Sequence, residues 1–367
     1  MTPDSPTIRS LSSQLLERYP PSNRLTLEFG DFTIGVQSNS ADLVERLREY
    51  FGAFLVATER TDMLVTALEG EPPAVDAEFT IKQPDPGKTK IKEEFVDVVD
   101  GRVVRKVLTG LMLLFGDGTN IAVGPCEAND NQVVNFINNR YIERLLLDGC
   151  LLGHAAGVVH GDSGLALAGF SGMGKSTLAL HLMSNELQFV SNDRVLVRPN
   201  DGVPHMLGVP KQPRINPGTA LHNPDLQDIL PDELRPKLLQ MPSEELWQLE
   251  LKYDVMIEDV YGEDRFRLTA PMQALVILNW YRTSETTRVT EVSLGDRRDL
   301  LGAFIKDPGL FFKPPESVTT DLSEDAYVEA LSHCRTFEIS GGVDFAYATE
   351  ACLEIMGKHR SVAPEER

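Results

Sequence analysis

Short stretches in which hydrophobic and polar residues alternate dominate the first third of the chain. After a short polar lead, residues 25–29 and 32–36 alternate in this way around a Gly-Asp pair, which predicts a β-hairpin. Ser40 is a good helix N-cap, and the hydrophobic residues after it recur at helical spacing, which predicts a helix over 41–51. Further strands are predicted at 63–68, 94–99, 102–107, 111–115 and 120–123, with a mobile loop at 84–88. Residues 1–128 are therefore predicted to form a smaller α+β N-terminal domain with a mainly antiparallel sheet.

The pattern changes after the polar segment 129–132, where we place a domain boundary. From about residue 133 hydrophobic residues recur at helical spacing, and short apolar runs then alternate with helical segments. Strands are predicted at 164–168, 187–190, 195–197, 274–278 and 336–339, and helices at 177–183, 299–305, 324–331 and 344–356, with a Pro-interrupted helical stretch at 225–239. A proline-rich connection is predicted at 208–219. Residues 129–367 are therefore predicted to form an α/β domain.

A glycine-rich segment after the strand at 164–168 matches G-x-x-x-x-G-K-[ST] at every position. Glycines let backbone N–H groups turn towards phosphate oxygens, Lys175 can reach the β- and γ-phosphates, and the Ser176 hydroxyl can ligate Mg²⁺. The order strand, glycine loop and helix also points the positive end of the helix at the phosphates. The segment predicts a site for ATP and Mg²⁺, with the nucleotide-binding residues Gly169, Ser171, Gly172, Met173, Gly174, Lys175, Ser176 and Thr177.

The amino-acid composition argues against some classes of binding partner. Asp and Glu number 55 against 35 Lys and Arg, and the net charge of −20 argues against binding to nucleic acid or to an anionic membrane. No apolar stretch has the length of a transmembrane helix, and the N-terminus lacks the pattern of a signal peptide, so a cytoplasmic location is expected. The four cysteines are widely spaced, which is typical of reduced structural thiols.

A phosphotransferase also needs a group that orients the nucleophile and accepts its proton. Asp193 ends the run 189–193, so its carboxylate is expected at the same sheet edge as the phosphates. Taken alone, an Asp in this position is more often a turn residue. His154, which follows the 151–153 bend, is by itself more often a structural histidine than a catalytic one.

The spacing of these residues resembles the catalytic core of the HPr kinase/phosphorylase family. That family has a His-Gly pair, then a glycine loop ending in Gly-Lys-Ser, then an Asp-Asp pair followed by a hydrophobic residue. Here His154 precedes Gly169 by fifteen positions, and Asp193 follows Ser176 by seventeen, as in the family. The resemblance covers residues 154–195, a much more specific match than the glycine loop alone.

The resemblance implies catalytic roles for His154, Lys175 and Asp193, with Asp193 accepting the proton of a protein serine and Ser176 binding the metal. It implies an α/β fold, a P-loop kinase domain similar to those of HPr kinases and phosphoenolpyruvate carboxykinases. ATP and Mg²⁺ are the implied cofactors, and a homo-oligomer is the implied assembly.

The chain also departs from the family pattern. Asn192 replaces the first Asp of the pair, and Ala155 replaces the Gly that follows the His. The family's Leu-Glu-Val-Arg-Gly-type stretch, with its metal-binding Glu, is absent, and residues 208–219 stand in its place. Lys211 and Arg214 there could clamp a phosphate or an acidic substrate, or the stretch could be a plain connector. The resemblance is therefore to HPr-kinase-related proteins outside the sugar-regulatory subgroup.

Three functions follow, in decreasing order of support. The first is an ATP- and Mg²⁺-dependent kinase that transfers the γ-phosphoryl group to a hydroxyl, with a serine of a protein or peptide as the favoured acceptor. The second is a carboxykinase-like kinase of a small molecule, and the third is a nucleotide-binding regulatory protein with weak or no catalysis. The N-terminal domain could bind the substrate or a partner.

Overall fold

The chain is a mixed α/β protein with several sheets. It divides into a first unit, residues 1–144 with 308–319, and a second unit, residues 145–307 with 320–367. The division falls within the helix Asp130–Leu147, which begins just after the predicted boundary at 128/129. The predicted loop at 84–88 lies, after Pro84, outside the described residues. The computed structural model describes residues 6–84, 89–242, 245–246, 249, 251–315 and 317–358.

The first unit is built on an eight-stranded sheet with the strand order β1-β2-β3-β8-β7-β6-β5-β4. The β2–β3 and β3–β8 pairs are parallel and the other pairs are antiparallel. Its elements are α1 Ile8–Arg18, β1 Asn23–Phe29, β2 Phe32–Ser38, α2 Ala41–Tyr50, β3 Met63–Glu69, β4 Thr80–Ile81, β5 Glu93–Val98, β6 Gly101–Lys106, β7 Met112–Gly116 and β8 Thr119–Gly124, followed by α3 Asp130–Leu147.

The predicted hairpin and the helix after it are both confirmed. β1 and β2 pair in the register that sets Leu25 opposite Val36, and the Ser40 hydroxyl accepts a hydrogen bond from Leu43 N at the start of α2. Residues 8–18 in the lead before β1 form α1, a helix that the sequence analysis did not predict. Ile8 and Leu15 lie on the buried side of this helix, and their helical spacing was the available signal.

The second unit contains a nine-stranded sheet in which β12, β10, β11, β17, β14, β13 and β9 are neighbours in that order and β19 joins β17 to β18. Its strands are β9 Leu151–Gly153, β10 Ala155–His160, β11 Ser163–Gly169, β12 Gln188–Ser191, β13 Val195–Arg198, β14 His205–Gly208, β15 Arg214–Ile215, β16 Tyr253–Asp254, β17 Thr269–Tyr281, β18 Arg288–Val292 and β19 Arg335–Gly342. Its helices are α4 Lys175–Met183, α5 Pro217–Leu221, α6 Arg235–Leu239, α7 Ile257–Tyr261, α8 Glu324–Ala330 and α9 Phe345–Ile355.

Strand β11 carries both core layers of the second unit. Leu165 and Leu167 pack on one face with residues of α4 and α9, whereas Ala166 and Ala168 pack on the other face with residues of α8. Successive side chains of a strand point to opposite faces, so a strand buried on both sides reads as a continuous apolar run. β11 pairs antiparallel with β10 and parallel with β17, which places its carboxyl end inside the sheet.

Three predicted segments of this unit need correction. The predicted helix at 299–305 is a 3-10 helix, Arg298–Ala303, with Gly302 within it. The helical stretch at 225–239 is interrupted by proline as predicted, since Pro231 cannot donate a helical hydrogen bond, but its first part, Pro224–Ile229, is a 3-10 helix that precedes α6. The predicted connection at 208–219 contains β15 and the first turn of α5.

All four cysteines are buried as free thiols. Burial raises the pKa of Cys126, Cys334 and Cys352 to about 12, which keeps these thiols protonated and poorly nucleophilic. Among the helices of the described residues, none combines the length and the apolar character required to cross a lipid bilayer.

Substitution of Gly208 by Ala should destabilise the second unit strongly. A Cβ at Gly208 would overlap the carbonyl oxygen of Val190, a backbone atom that cannot move without distorting β12. We expect a loss of about 2 kcal/mol in the free energy of unfolding, measured by urea denaturation. Gly202→Ala is the matched control, since a Cβ there meets nothing within 4 Å. Equal stability of the two variants would contradict this close packing.

Candidate active site

The segment between β11 and α4 is a tight loop shaped by two glycines. Gly172 and Gly174 have φ values of +84° and +85°, a region that L side chains rarely adopt. A Cβ at Gly174 would also lie 2.6 Å from Phe345 Cζ, so this position is closed to a side chain on two grounds. Met173 N donates to Phe170 O at 3.2 Å within the loop, and Trp280 Nε1 donates to Met173 O at 2.8 Å. The loop is thus held by the sheet on which it sits.

The side chains at the start of α4 have different environments. Lys175 is nine-tenths buried, and its Nζ donates to Gly169 O at 2.7 Å. Ser176 is partly exposed. The Thr177 hydroxyl lies 2.9 Å from the Thr219 hydroxyl, so it connects α4 to α5, and any contact of Thr177 with a ligand would come from its backbone N–H.

His154 lies beside this loop because of the register between β10 and β11. Ala155 pairs with Ala168 in these antiparallel strands, so His154, one residue before Ala155, stands next to Gly169 at the start of the loop. The backbone N–H of His154 donates to Phe304 O at 2.6 Å, which fixes the chain at this point. The fifteen positions between His154 and Gly169 are therefore the length of one β-hairpin.

Asp193 lies close to His154 because each residue lies where the chain passes from one pair of strands to the next. β10 pairs with β12 through Gly157 and Ser191, and β9 pairs with β13 through Gly153 and Val195. Residue 154 connects β9 to β10, and residues 192–194 connect β12 to β13. His154 and Asp193 lie in these two neighbouring connections and therefore face each other.

Asp193 has a cation or a histidine at each carboxylate oxygen. His154 Nε2 lies 3.2 Å from Oδ1, and Arg194 Nη1 lies 2.8 Å from Oδ2. Burial raises the pKa of Asp193, but the hydrogen bond from His154 and the charges of Arg194 and Lys211 outweigh it and hold the pKa well below the usual range. The group is therefore a carboxylate throughout the neutral range of pH.

Ser191 fixes the turn that carries Asp193. Its Oγ lies 2.5 Å from Arg194 O and 3.2 Å from Val209 O, and it accepts a hydrogen bond from Val209 N at 3.2 Å. Ser191 is buried, so these contacts close the turn without water. They also hold the end of β14 against the turn, which brings Lys211 close enough for its charge to act on Asp193.

The two cations predicted as a clamp have different surroundings. Lys211 is partly buried, and burial lowers its pKa while the charge of Asp193 opposes that effect. Arg214 Nε pairs with Asp254 Oδ1 at 3.1 Å across β15 and β16, and both side chains are about half exposed. The charge of Lys211 therefore acts on Asp193, whereas Arg214 is already paired with a carboxylate.

Two further cations, Arg194 and Lys306, lie at the site, and the sequence analysis did not predict either of them. Arg194 is adjacent to Asp193 in the sequence, a signal that was available. Lys306 lies more than a hundred residues beyond the loop, and a β-bridge between Gly153 and Ile305 brings it there. Burial lowers the pKa of Lys175, the charge of Lys306 lowers it further, and the charge of Asp193 opposes both.

The oxygens near the loop suit a hydrated Mg²⁺ ion. Besides the Ser176 hydroxyl, there is the side chain of Asn192, whose buried Oδ1 has no hydrogen-bond partner among the described residues. A buried acceptor without a donor costs free energy, and the water shell of a metal would supply one. Within the described ranges, no cluster of three or more His, Cys, Asp or Glu side chains could hold a metal. Mg²⁺ in nucleotide sites uses one or two protein ligands together with phosphates and water, so these oxygens fit it.

No protein-family model and no curated protein matches the sequence. Among solved structures, the Hpr(Ser) kinase/phosphatase from Coxiella burnetii is similar at 9% identity, over 56% of this chain and 93% of that chain, with a TM-score of 0.27. At so low an identity and TM-score, functional conclusions depend on the residues of this chain itself.

Lys175→Met should stabilise the ligand-free protein, because the buried ammonium loses hydration that its hydrogen bonds to the carbonyls of Gly169 and Phe170 do not replace. We expect a gain of about 1 kcal/mol, a rise of a few degrees in Tm measured by calorimetry. Since the folded-state pKa of Lys175 is lowered, the cost is complete below that pKa, and the gain should shrink as the pH rises from there to the ordinary lysine value.

Lys237→Met, at an exposed position of α6, is the control and should leave Tm unchanged. A lower Tm for Lys175→Met than for this control would mean that the bond to Gly169 O outweighs the cost of burial.

Proposed function

We propose that this chain is an ATP- and Mg²⁺-dependent kinase that transfers the γ-phosphoryl group to a hydroxyl, with a serine of a protein or peptide as the favoured acceptor. The observation that carries the proposal is the meeting of Lys175, His154 and Asp193 at the carboxyl end of β11. These residues come from three separate segments. A glycine turn with a purely structural role would not require His154 and Asp193 beside it.

In this proposal the backbone N–H groups of the loop and the Lys175 ammonium bind the phosphates of ATP. The N-terminus of α4 adds its positive dipole, since its first N–H groups have no partner within the helix. Ser176 would hold Mg²⁺, with Asn192 close to its water shell. Bound Mg²⁺ supplies charge neutralisation on the β- and γ-phosphates.

Asp193 would orient the acceptor hydroxyl. As the hydroxyl oxygen forms its bond to the γ-phosphorus, the bond from that phosphorus to the β,γ-bridging oxygen breaks, ADP leaves, and the hydroxyl proton passes to the Asp193 carboxylate. A carboxylate with a low pKa is a weak base, which suits phosphoryl transfer because the attacking oxygen keeps its proton until late. The negative charge of ATP would also raise the pKa of Asp193 towards the usual range.

His154 would act through its position between Asp193 and the loop. Its Nε2 lies on the carboxylate in the ligand-free protein, and its backbone stands beside Gly169. An imidazole here can donate a hydrogen bond to the oxygens of the transferring phosphoryl group, where negative charge is stabilised most effectively.

The cations around Asp193 favour a second candidate, a carboxykinase-like kinase of a small anionic metabolite. Arg194 pairs with Asp193 and the charge of Lys211 acts on it, so both cations could bind a carboxylate or phosphate of a substrate placed beside Asp193. A third candidate, a nucleotide-binding regulatory protein, is favoured by Asn192, which lacks the charge of the Asp in the related family.

Asp193→Asn should reduce phosphoryl transfer by roughly 10²- to 10⁴-fold while ATP still binds, because the amide cannot accept the proton. ATP binding, measured by calorimetry, should hold or improve, since a negative charge beside the phosphates is removed. Lys175→Ala should weaken both binding and transfer. Asp201→Asn, in the exposed turn before β14, is the matched control and should behave like the wild type. Full transfer by Asp193→Asn would remove Asp193 as the base.

The acceptor can be identified by incubating the protein and γ-labelled ATP with a lysate divided into a desalted protein fraction and a small-molecule extract. Label appearing on serine in the protein fraction is the expected result. Label confined to the extract would favour the metabolite kinase. Tight binding of ATP with no labelled acceptor in either fraction would favour the regulatory protein.

A further inference from the structure

Residues 304–306 run alongside the strand that leads to His154. Gly153 and Ile305 form an antiparallel β-bridge, His154 N donates to Phe304 O at 2.6 Å, and Lys306 N donates to Leu152 O at 3.1 Å. Three consecutive backbone contacts fix this short segment in register. Phe304 therefore lies opposite His154, and Lys306 lies opposite Leu152, two residues before His154.

The segment is also anchored by its side chains. Phe304 is fully buried, and its ring fills the space that a Cβ at Gly153 would need. It packs edge-on against Tyr327, whose hydroxyl donates to Leu152 O at 2.8 Å. The backbone that presents Lys306 is thus part of the core, and its position is set before any ligand arrives.

The 3-10 helix Arg298–Ala303 that precedes this segment lies against the glycine loop. A Cβ at Gly302 would lie 3.9 Å from Phe170 Cε1, and Phe170 is the second residue of the loop motif. Arg297, at the start of this helix, pairs with Glu338 at 2.8 Å and so joins the helix to β19. Residues 298–306 therefore approach the loop at Phe170 and then pair with residues 152–154.

The charge of Lys306 is not neutralised locally. Lys306 makes no ion pair with another residue in the part of the chain that the structure describes. Its charge acts instead on Lys175, an unfavourable approach of two ammonium groups that the rigid backbone maintains. Like charges held together at a site are relieved when an anion binds between them.

We propose that Lys306 binds the terminal phosphate of the nucleotide opposite Lys175, so that the two lysines form a clamp on the γ-phosphate. Lys175 is supplied by the loop and Lys306 by the 304–306 segment, on the side of the site where His154 stands. The proposal rests on the proposed nucleotide site and adds a phosphate-binding residue that lies outside the sequence motif.

The test compares two nucleotides that differ by one phosphate. Affinities for a non-hydrolysable ATP analogue and for ADP, each with Mg²⁺, are measured by calorimetry on the full chain and on Lys306→Ala, Lys306→Arg and Lys175→Ala. We expect Lys306→Ala to lose about tenfold in affinity for the ATP analogue and less than about twofold for ADP, because a charged hydrogen bond to one phosphate is removed. Lys306→Arg should recover most of the loss, whereas Lys175→Ala should weaken both nucleotides.

Lys237→Ala is the control for a general loss of positive charge, since Lys237 is exposed on α6, and Tm is measured for every variant. Equal losses for the ATP analogue and ADP, or no loss for either, would overturn the role of Lys306 and leave the nucleotide site intact. Failure of the unmodified chain to bind either nucleotide would overturn the proposed function and this inference together.

Discussion

The pairing of β10 with β11 on one side and with β12 on the other is the constraint on which the candidate site depends. The first pairing sets His154 beside Gly169, and the second, continued by β9 and β13, sets it opposite Asp193. A slip of one residue in a strand turns each of its side chains to the other face. Both faces of β11 are packed with apolar side chains, so the core fixes the register and the register fixes the site.

Positive charge is concentrated here in a chain whose net charge is −20. The charges of Lys175, Arg194 and Lys211 interact with a single carboxylate, that of Asp193, and the charge of Lys306 acts on Lys175. Such an arrangement costs stability in the free protein, because cations are partly desolvated and repel one another. The fold tolerates it since the backbone that carries these residues is fixed by strand pairing and buried aromatic rings. Binding of an anionic ligand would offset this loss of stability.

Local patterns in the sequence are sufficient to predict many helices and strands and the motif residues of the site. The β1–β2 hairpin, α2 and the strands around the glycine loop follow from alternation, capping and apolar runs. Helix α1 does not, because three spaced hydrophobic residues in a polar segment are a weak signal. Lys306 could not be predicted, since its place depends on the Gly153–Ile305 bridge, a pairing between distant segments that leaves no local pattern. The 3-10 helix before it shows that helical spacing alone does not distinguish two kinds of helix.

The contact between the hydroxyls of Thr177 and Thr219 has a consequence for how the two sides of the site communicate. Residues 209–219 are attached at one end to the turn of Asp193, through Ser191, and at the other end to α4, through this pair. Ordering of the loop by phosphate would restrain one end of the segment, and an acceptor seated near Lys211 would restrain the other. Nucleotide and acceptor would then bind with a coupling free energy, and by linkage each would change the affinity of the other by the same factor.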